Sequence, residues 1–131
     1  MEIRRFRVTL RASDFERTCH FYEQVLTLPR IREWDHDEGR GAQFQAGPAV
    51  IEVLGRAREH EDEREESFDY QGPKHKMTLT LEVPSAERAY EELQFREKNI
   101  PGGLLLTGDG TTIFETHDPD GVKIQCRQTG E

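Results

Sequence analysis

Phe6, Val8, Leu10 and Ala12 alternate with Arg5, Arg7, Thr9 and Arg11, a period-two pattern that predicts a strand with one apolar face. Ser13 and Asp14 come next, and either side-chain oxygen can cap the orphan amides of a helix. The next stretch places Phe15, Cys19, Tyr22, Val25 and Leu26 on one helical face and stops before Pro29. Residues 31–35 and 42–46 read as short strands around an Asp-Glu-Gly turn, and Gly47-Pro48 leads into another strand over 49–54. Met77, Leu79, Leu81 and Val83 then alternate with Thr78, Thr80 and Glu82. Pro84, with Ser85 beside it, suits the first turn of a second helix running to about Asn99, before Pro101. Gly102-Gly103, Gly108-Asp109-Gly110 and Asp118-Pro119-Asp120-Gly121 separate three more strands.

The second half repeats the first. Val8-Thr9-Leu10 with Glu16-Arg17 returns as Leu79-Thr80-Leu81 with Glu87-Arg88, every position displaced by 71 residues. Each half reads βαβββ, with largely antiparallel strands and the helices on the outer faces of the sheets. The expectation is an α+β fold in a single domain over 1–131: a first module over 1–55, an acidic linker over 56–75 and a second module over 76–131. The curved sheets of the two modules are expected to surround a central cleft. The run from Arg58 to Glu66 has no apolar member, which predicts a solvated connection.

The chain has 131 residues, 34% apolar and 34% charged, with a net charge of −8. That balance predicts a lean core and argues against nucleic-acid or anionic-membrane partners. Cys19 and Cys126 have no CxxC or paired Cys/His spacing and read as buried free thiols. The N-terminal residues enter a strand without an apolar leader, and no apolar run reaches membrane-spanning length. A cytoplasmic protein is the expectation.

The duplicated βαβββ order, with Ser13-Asp14-Phe15-Glu16-Arg17 running into Phe21-Tyr22-Glu23-Gln24-Val25-Leu26, resembles the vicinal oxygen chelate superfamily. That group includes glyoxalase I, bleomycin resistance proteins and extradiol dioxygenases. The closing 118–125 segment, Asp-Pro-Asp-Gly-Val-Lys-Ile-Gln, looks like its last hairpin, and the likeness covers nearly all of the chain outside the acidic tract. For the turn itself, Pro119 presets φ and Gly121 accepts positive φ, so Asp118 and Asp120 are expected to bond local amides.

The resemblance implies four converging metal-ligand positions, which fall here on Arg7, Glu52, Thr78 and Gln125. Only Glu52 is a good divalent-metal ligand and Gln125 is a weak one, while the permanent charge of Arg7 opposes a cation. His20, His36, His60, His75 and His117 offer no pair with metal-ligand spacing. No metal or other cofactor is therefore predicted.

Alternation puts Arg7, Thr9 and Arg11 on the face of Glu52, and the repeat adds Thr78, Thr80 and Glu82 with Lys123, Gln125 and Arg127. Two uses of this cleft surface stay open. One is a site for a carboxylate, phosphate or other polar anion; the other is an Arg7–Glu52 ion pair filling a vacated metal site. The resemblance implies a homodimer, and the resulting expectation is a metal-independent protein that binds and sequesters a small molecule. The alternatives are a divalent-metal lyase, isomerase or dioxygenase with an unusual ligand set, and a non-catalytic structural or regulatory dimer.

Overall fold

Two sheets form, and in each the first strand lies parallel to the last, a pairing that a tight turn cannot make and a crossover must. The computed structural model describes residues 2–58, 77–97 and 100–129. Of the expected linker, 59–75 lies outside the described residues, and with it His60 and His75. The chain divides into two compact units, Met1–Tyr70 and Gln71–Glu131.

In the first unit, β1 (Phe6–Arg11) is followed by α1 (Phe15–His20), a π-helical turn (Phe21–Val25), β2 (Arg30–His36), β3 (Gly39–Ala46) and β4 (Ala49–Gly55). The sheet order is β1-β4-β3-β2, with β1 and β4 parallel and the other pairs antiparallel. Asp14 caps α1, its Oδ1 accepting from the Arg17 amide at 3.2 Å. The second unit runs β5 (Thr78–Val83), α2 (Ala86–Glu97), β6 (Leu105–Leu106), β7 (Thr112–His117) and β8 (Lys123–Gln128). Its order, β5-β8-β7-β6, repeats the first, again with β5 and β8 parallel. The α+β expectation and the βαβββ order hold in both units.

Side chains alternate across each strand, and registered partners share a face. On the helix side of the first sheet lie Val8 and Leu10, Ile51 and Val53, Ala42 and Phe44. Tyr22 and Phe44 are fully buried, with ring centroids 6.2 Å apart, and Phe21 meets Tyr22 edge-on at 5.2 Å. The second sheet repeats this arrangement with Tyr90 of α2 edge-on to the buried Phe114 at 5.6 Å. Phe6, expected on the apolar face, is exposed at the start of β1.

The first helix departs from expectation after His20. Instead of continuing as an α-helix through Leu26, the chain widens: the Leu26 amide donates to the Phe21 carbonyl at 3.0 Å, an i→i+5 bond. The adjacent rings of Phe21 and Tyr22 are both buried, and a wider turn seats two consecutive aromatic side chains where a strict 3.6 period favours one. Thr27 then takes φ +57°, a left-handed conformation that crowds a β-branched side chain.

The second helix begins at Ala86, so Pro84 precedes it rather than occupying its first turn. Ser85 supplies the cap, its Oγ accepting from the Arg88 amide at 3.1 Å, while Gln128 Oε1 accepts from the Ala86 amide at 3.0 Å. At the last hairpin, Asp118 Oδ1 accepts from the Asp120 and Val122 amides, each at 2.9 Å. Gly121 takes φ +87° there, completing the expected turn.

Thr27→Gly is expected to raise the unfolding free energy by about 1 kcal/mol by relieving the left-handed strain. Urea denaturation tests this; an unchanged or lower value would show that the Thr27 hydroxyl bond to the Leu26 carbonyl, at 2.6 Å, outweighs the strain.

Burial pushes the thiols of Cys19 and Cys126 up to about 11 from an ordinary value of 9.0. The fold thus favours the neutral thiols. Their contribution to stability is complete below pH 9 and lost as pH rises towards 11. Double replacement of Cys19 and Cys126 by Ala should flatten stability over that interval, and an unchanged alkaline loss would contradict it.

Candidate functional site

β4 lies between β1 and β3, so its outward side chains meet neighbours on both sides. Register makes three rows across the face of the first sheet opposite the helix. The central row is Thr9, Glu52, Gln43 and Arg32; one flanking row is Arg11, Leu54, Gly41 and Trp34; the other includes Arg7, Val50 and Gln45.

Glu52 is buried in the central row. Its Oε1 accepts from the Thr9 hydroxyl at 3.1 Å and its Oε2 from the Gln43 amide nitrogen at 2.8 Å. Arg7 NH1 stands 3.8 Å from Oε2, with half of its side chain exposed. Of the residues singled out in the sequence, Arg7, Thr9 and Glu52 therefore meet directly. Arg11 shares their face one row away, and no described residue pairs with its guanidinium.

The corresponding face of the second sheet has the same three residue types in a changed order. Thr80 pairs in register with Gln125 and Gln125 with Glu115. Gln125 Nε2 donates to Glu115 Oε2 at 3.2 Å. In the first sheet the acid is on the last strand and the amide on the third; in the second sheet they are exchanged. Lys123 lies 3.9 Å from Glu115 Oε1, and Thr78 is its register partner on β5. Glu82 is opposite Arg127 in register, yet Arg127 turns to Asp109 Oδ2 at 2.8 Å and Thr111 Oγ1 at 3.4 Å. The cationic set expected from the sequence is thus substantially engaged: Arg7 faces Glu52, Lys123 faces Glu115 and Arg127 holds the 107–111 turn.

Hydrogen bonds from Thr107 and Thr111 hold Asp109 down at about 2, with Arg127 adding to the effect. Desolvation pushes the other way, by less than these hydrogen bonds but by more than Arg127 lowers it. His20, His36 and His117 are all exposed. Among the described residues, no group of three or more His, Cys, Asp and Glu is arranged to hold a metal ion.

Gln43, Glu115, Arg32 and Trp34 were not among the residues singled out in the sequence. Gln43 was legible in part, because Gly41, Gln43 and Gln45 alternate with Ala42, Phe44 and Ala46. What the pattern lacked was the register that sets Gln43 against Glu52. Glu115 gave a weaker signal, since the strand around it also carries Ile113 on its open face.

The family model described as Glyoxalase/Bleomycin resistance protein/Dioxygenase superfamily matches residues 4–126. No curated protein sequence matches significantly. Among solved structures, SMU.1112c is 20% identical with a TM-score of 0.73, covering 93% of this chain and 96% of its own. A lactoylglutathione lyase from Agrobacterium tumefaciens is 15% identical with a TM-score of 0.65, covering 94% and 91%. A glyoxalase/bleomycin resistance protein from Catenulispora acidiphila is 14% identical with a TM-score of 0.67, covering 95% and 97%. At these identities the likeness concerns the fold.

Glu52→Ala is expected to cost about 1–3 kcal/mol, because the buried Gln43 amide loses its acceptor, whereas the half-exposed Arg7 can be solvated. Glu52→Gln should cost less, since an amide oxygen still accepts. Chemical denaturation of both variants checks the order, and an Ala variant as stable as the parent would refute the bonding role.

The lowered pKa of Asp109 stabilises the fold above its ordinary value of 3.8, and this contribution is lost as pH falls towards 2. Asp109→Asn should therefore make the acid loss of stability shallower over that window. An identical acid profile would contradict the assignment.

Proposed function

We infer that this chain, which belongs to the Glyoxalase/Bleomycin resistance protein/Dioxygenase superfamily, is a metal-independent protein that binds a small polar molecule. The observation that carries this reading is the state of Glu52. Both of its oxygens accept hydrogen bonds and a guanidinium stands 3.8 Å away.

The residues at the family's metal positions do not fit a divalent cation. A metal ligand must offer a lone pair and tolerate positive charge beside it. Arg7 offers no lone pair and brings a permanent charge. To bind a metal, Glu52 would have to hold it beside that guanidinium, on the lone pairs its hydroxyl and amide donors leave free. Gln125 is turned so that its amide nitrogen serves Glu115, which leaves its carbonyl as the one weak donor. Thr78 adds only a neutral hydroxyl. No reaction step is therefore assigned to a metal in this chain.

The same three rows suit recognition. Hydroxyl, carboxylate, carboxamide and guanidinium groups converge on one sheet face, fixed by backbone register and by mutual hydrogen bonds. Preorganised polar groups on strands orient a ligand without the entropy loss of ordering loops. Sequestration by shape and hydrogen bonding is the function proposed, in a cytoplasmic homodimer. Among the described residues no helix is long and apolar enough to cross a membrane.

The test is thermal unfolding of chelator-stripped protein with Mn(II), Fe(II), Co(II), Ni(II) or Zn(II) added in turn. A resident metal at a thousandfold its Kd adds about 4 kcal/mol, a rise of several degrees. No Glu52-dependent rise is expected. A metal-specific rise that disappears in Glu52→Gln would overturn the proposal and favour a metal-dependent enzyme.

A further inference from the structure

The strongest unassigned feature lies in the first sheet, at the β2 end of the three rows. Trp34 is opposite Gly41 in register, and a Cβ built on Gly41 would fall 2.0 Å from Trp34 Cζ2 and 2.2 Å from Cε2. The indole thus lies directly on the backbone of β3, a position available only because residue 41 has no side chain. The ring is packed on the sheet at Gly41, whose register partner on β4 is Leu54.

Arg32 is two residues earlier on the same strand and face. Its guanidinium carbon lies 5.1 Å from the Trp34 ring centroid. A guanidinium stacked on an aromatic ring has its face covered and its edge donors free, the geometry that matches a planar carboxylate. Among the described residues no carboxylate pairs with Arg32. Gln43, its register partner, is buried and fixed by its bond to Glu52. Beside the fork the surface is therefore apolar at Trp34 and Leu54 and polar but neutral at Gln43. Among the described strand residues of this face, Arg7, Arg11 and Arg32 set three cations against the one carboxylate of Glu52, in a chain whose net charge is −8.

We propose that Arg32, stacked on Trp34 over Gly41, is the carboxylate-binding element of this protein, and that its ligand is a small aromatic carboxylate. The carboxylate accepts both edge hydrogen bonds of Arg32, and the ring of the ligand rests on Leu54 and the uncovered edge of the Trp34 indole. The inference rests on the metal-independent binding reading and names the ligand class for that face. Arg11 is at the opposite edge strand, three inter-strand steps of roughly 4.8 Å away, too far to share a benzoate-sized ligand with Arg32.

The chain contains a single tryptophan, so its emission reports on this site alone. Metal-free full-length protein is titrated with benzoate, benzamide and benzylamine while Trp34 fluorescence is followed. Benzoate should give a saturable change, benzamide should bind at least about tenfold more weakly for want of a charge-assisted pair, and benzylamine should give none. Arg32→Gln, an exposed substitution that spares the core, should weaken benzoate about tenfold or more, while Arg17→Gln, an exposed substitution on α1, should leave it nearly unchanged. Gly41→Ala should lift the indole, altering emission of the free protein and weakening benzoate.

Equal binding of benzoate and benzamide, or equal losses in Arg32→Gln and Arg17→Gln, would overturn the carboxylate assignment while the binding reading stands. Benzoate binding that requires added Mn(II) or Zn(II) would instead sink the metal-independent reading. No saturable response to any of the three probes, with circular dichroism showing the fold intact, overturns the proposed site.

Discussion

The parallel pairing of the first and last strands in each unit is the constraint on which the rest of the structure depends. It places β4 beside β1 and β8 beside β5, so the strand made last in each unit becomes an interior strand with neighbours on both sides. A residue on such a strand meets two registered partners on its own face. Glu52 thereby gains Thr9 from one side and Gln43 from the other, and Gln125 lies between Thr80 and Glu115. The same topology requires a crossover, and the helix that makes it covers the opposite face with Tyr22 or Tyr90. Core and polar face are two consequences of one connection.

The two units keep this plan while changing its chemistry. Exchange of acid and amide between the third and fourth strands conserves the hydrogen bond, because either group can meet the other. It does not conserve the electrostatics. In the first sheet the carboxylate is central, buried and faced by Arg7; in the second it is on the third strand, half-buried and beside Lys123. A central carboxylate already faced by a guanidinium is a poor place for a second cation. The unneutralised charge of the first sheet is at its edges, on Arg11 and on the Arg32–Trp34 stack.

Local conflicts in the chain are resolved by packing. Two adjacent aromatic residues, Phe21 and Tyr22, are both drawn into the core, and the helix widens into a π turn to seat them. The chain then reverses through Thr27 in a left-handed conformation. Arg30 secures the start of β2: it donates to both oxygens of Glu23 at 2.9 and 3.2 Å and to Glu33 at 3.1 Å, and stacks 5.3 Å from the Phe44 centroid. Strain at one residue is offset by a charged clamp three residues later.

The sequence by itself determined the repeat, the βαβββ order and the closing turn at Asp118, and it narrowed the first cap to Ser13 or Asp14. These are local matters, decided by side-chain period, capping oxygens and the φ preferences of Pro and Gly. It also determined that Arg7, Thr9 and Glu52 share a face, because alternation fixes the face of every residue once a strand is recognised. Only the tertiary structure decided which residues meet across strands. Alternation says that Gln43 and Trp34 point outward, but register sets Gln43 on Glu52 and Trp34 on Gly41, and register depends on pairings between segments distant in sequence. The diversion of Arg127 to Asp109 has the same origin: a long flexible cation takes the nearest anchored carboxylate, and that proximity exists only once β8 and the 107–111 turn are folded together.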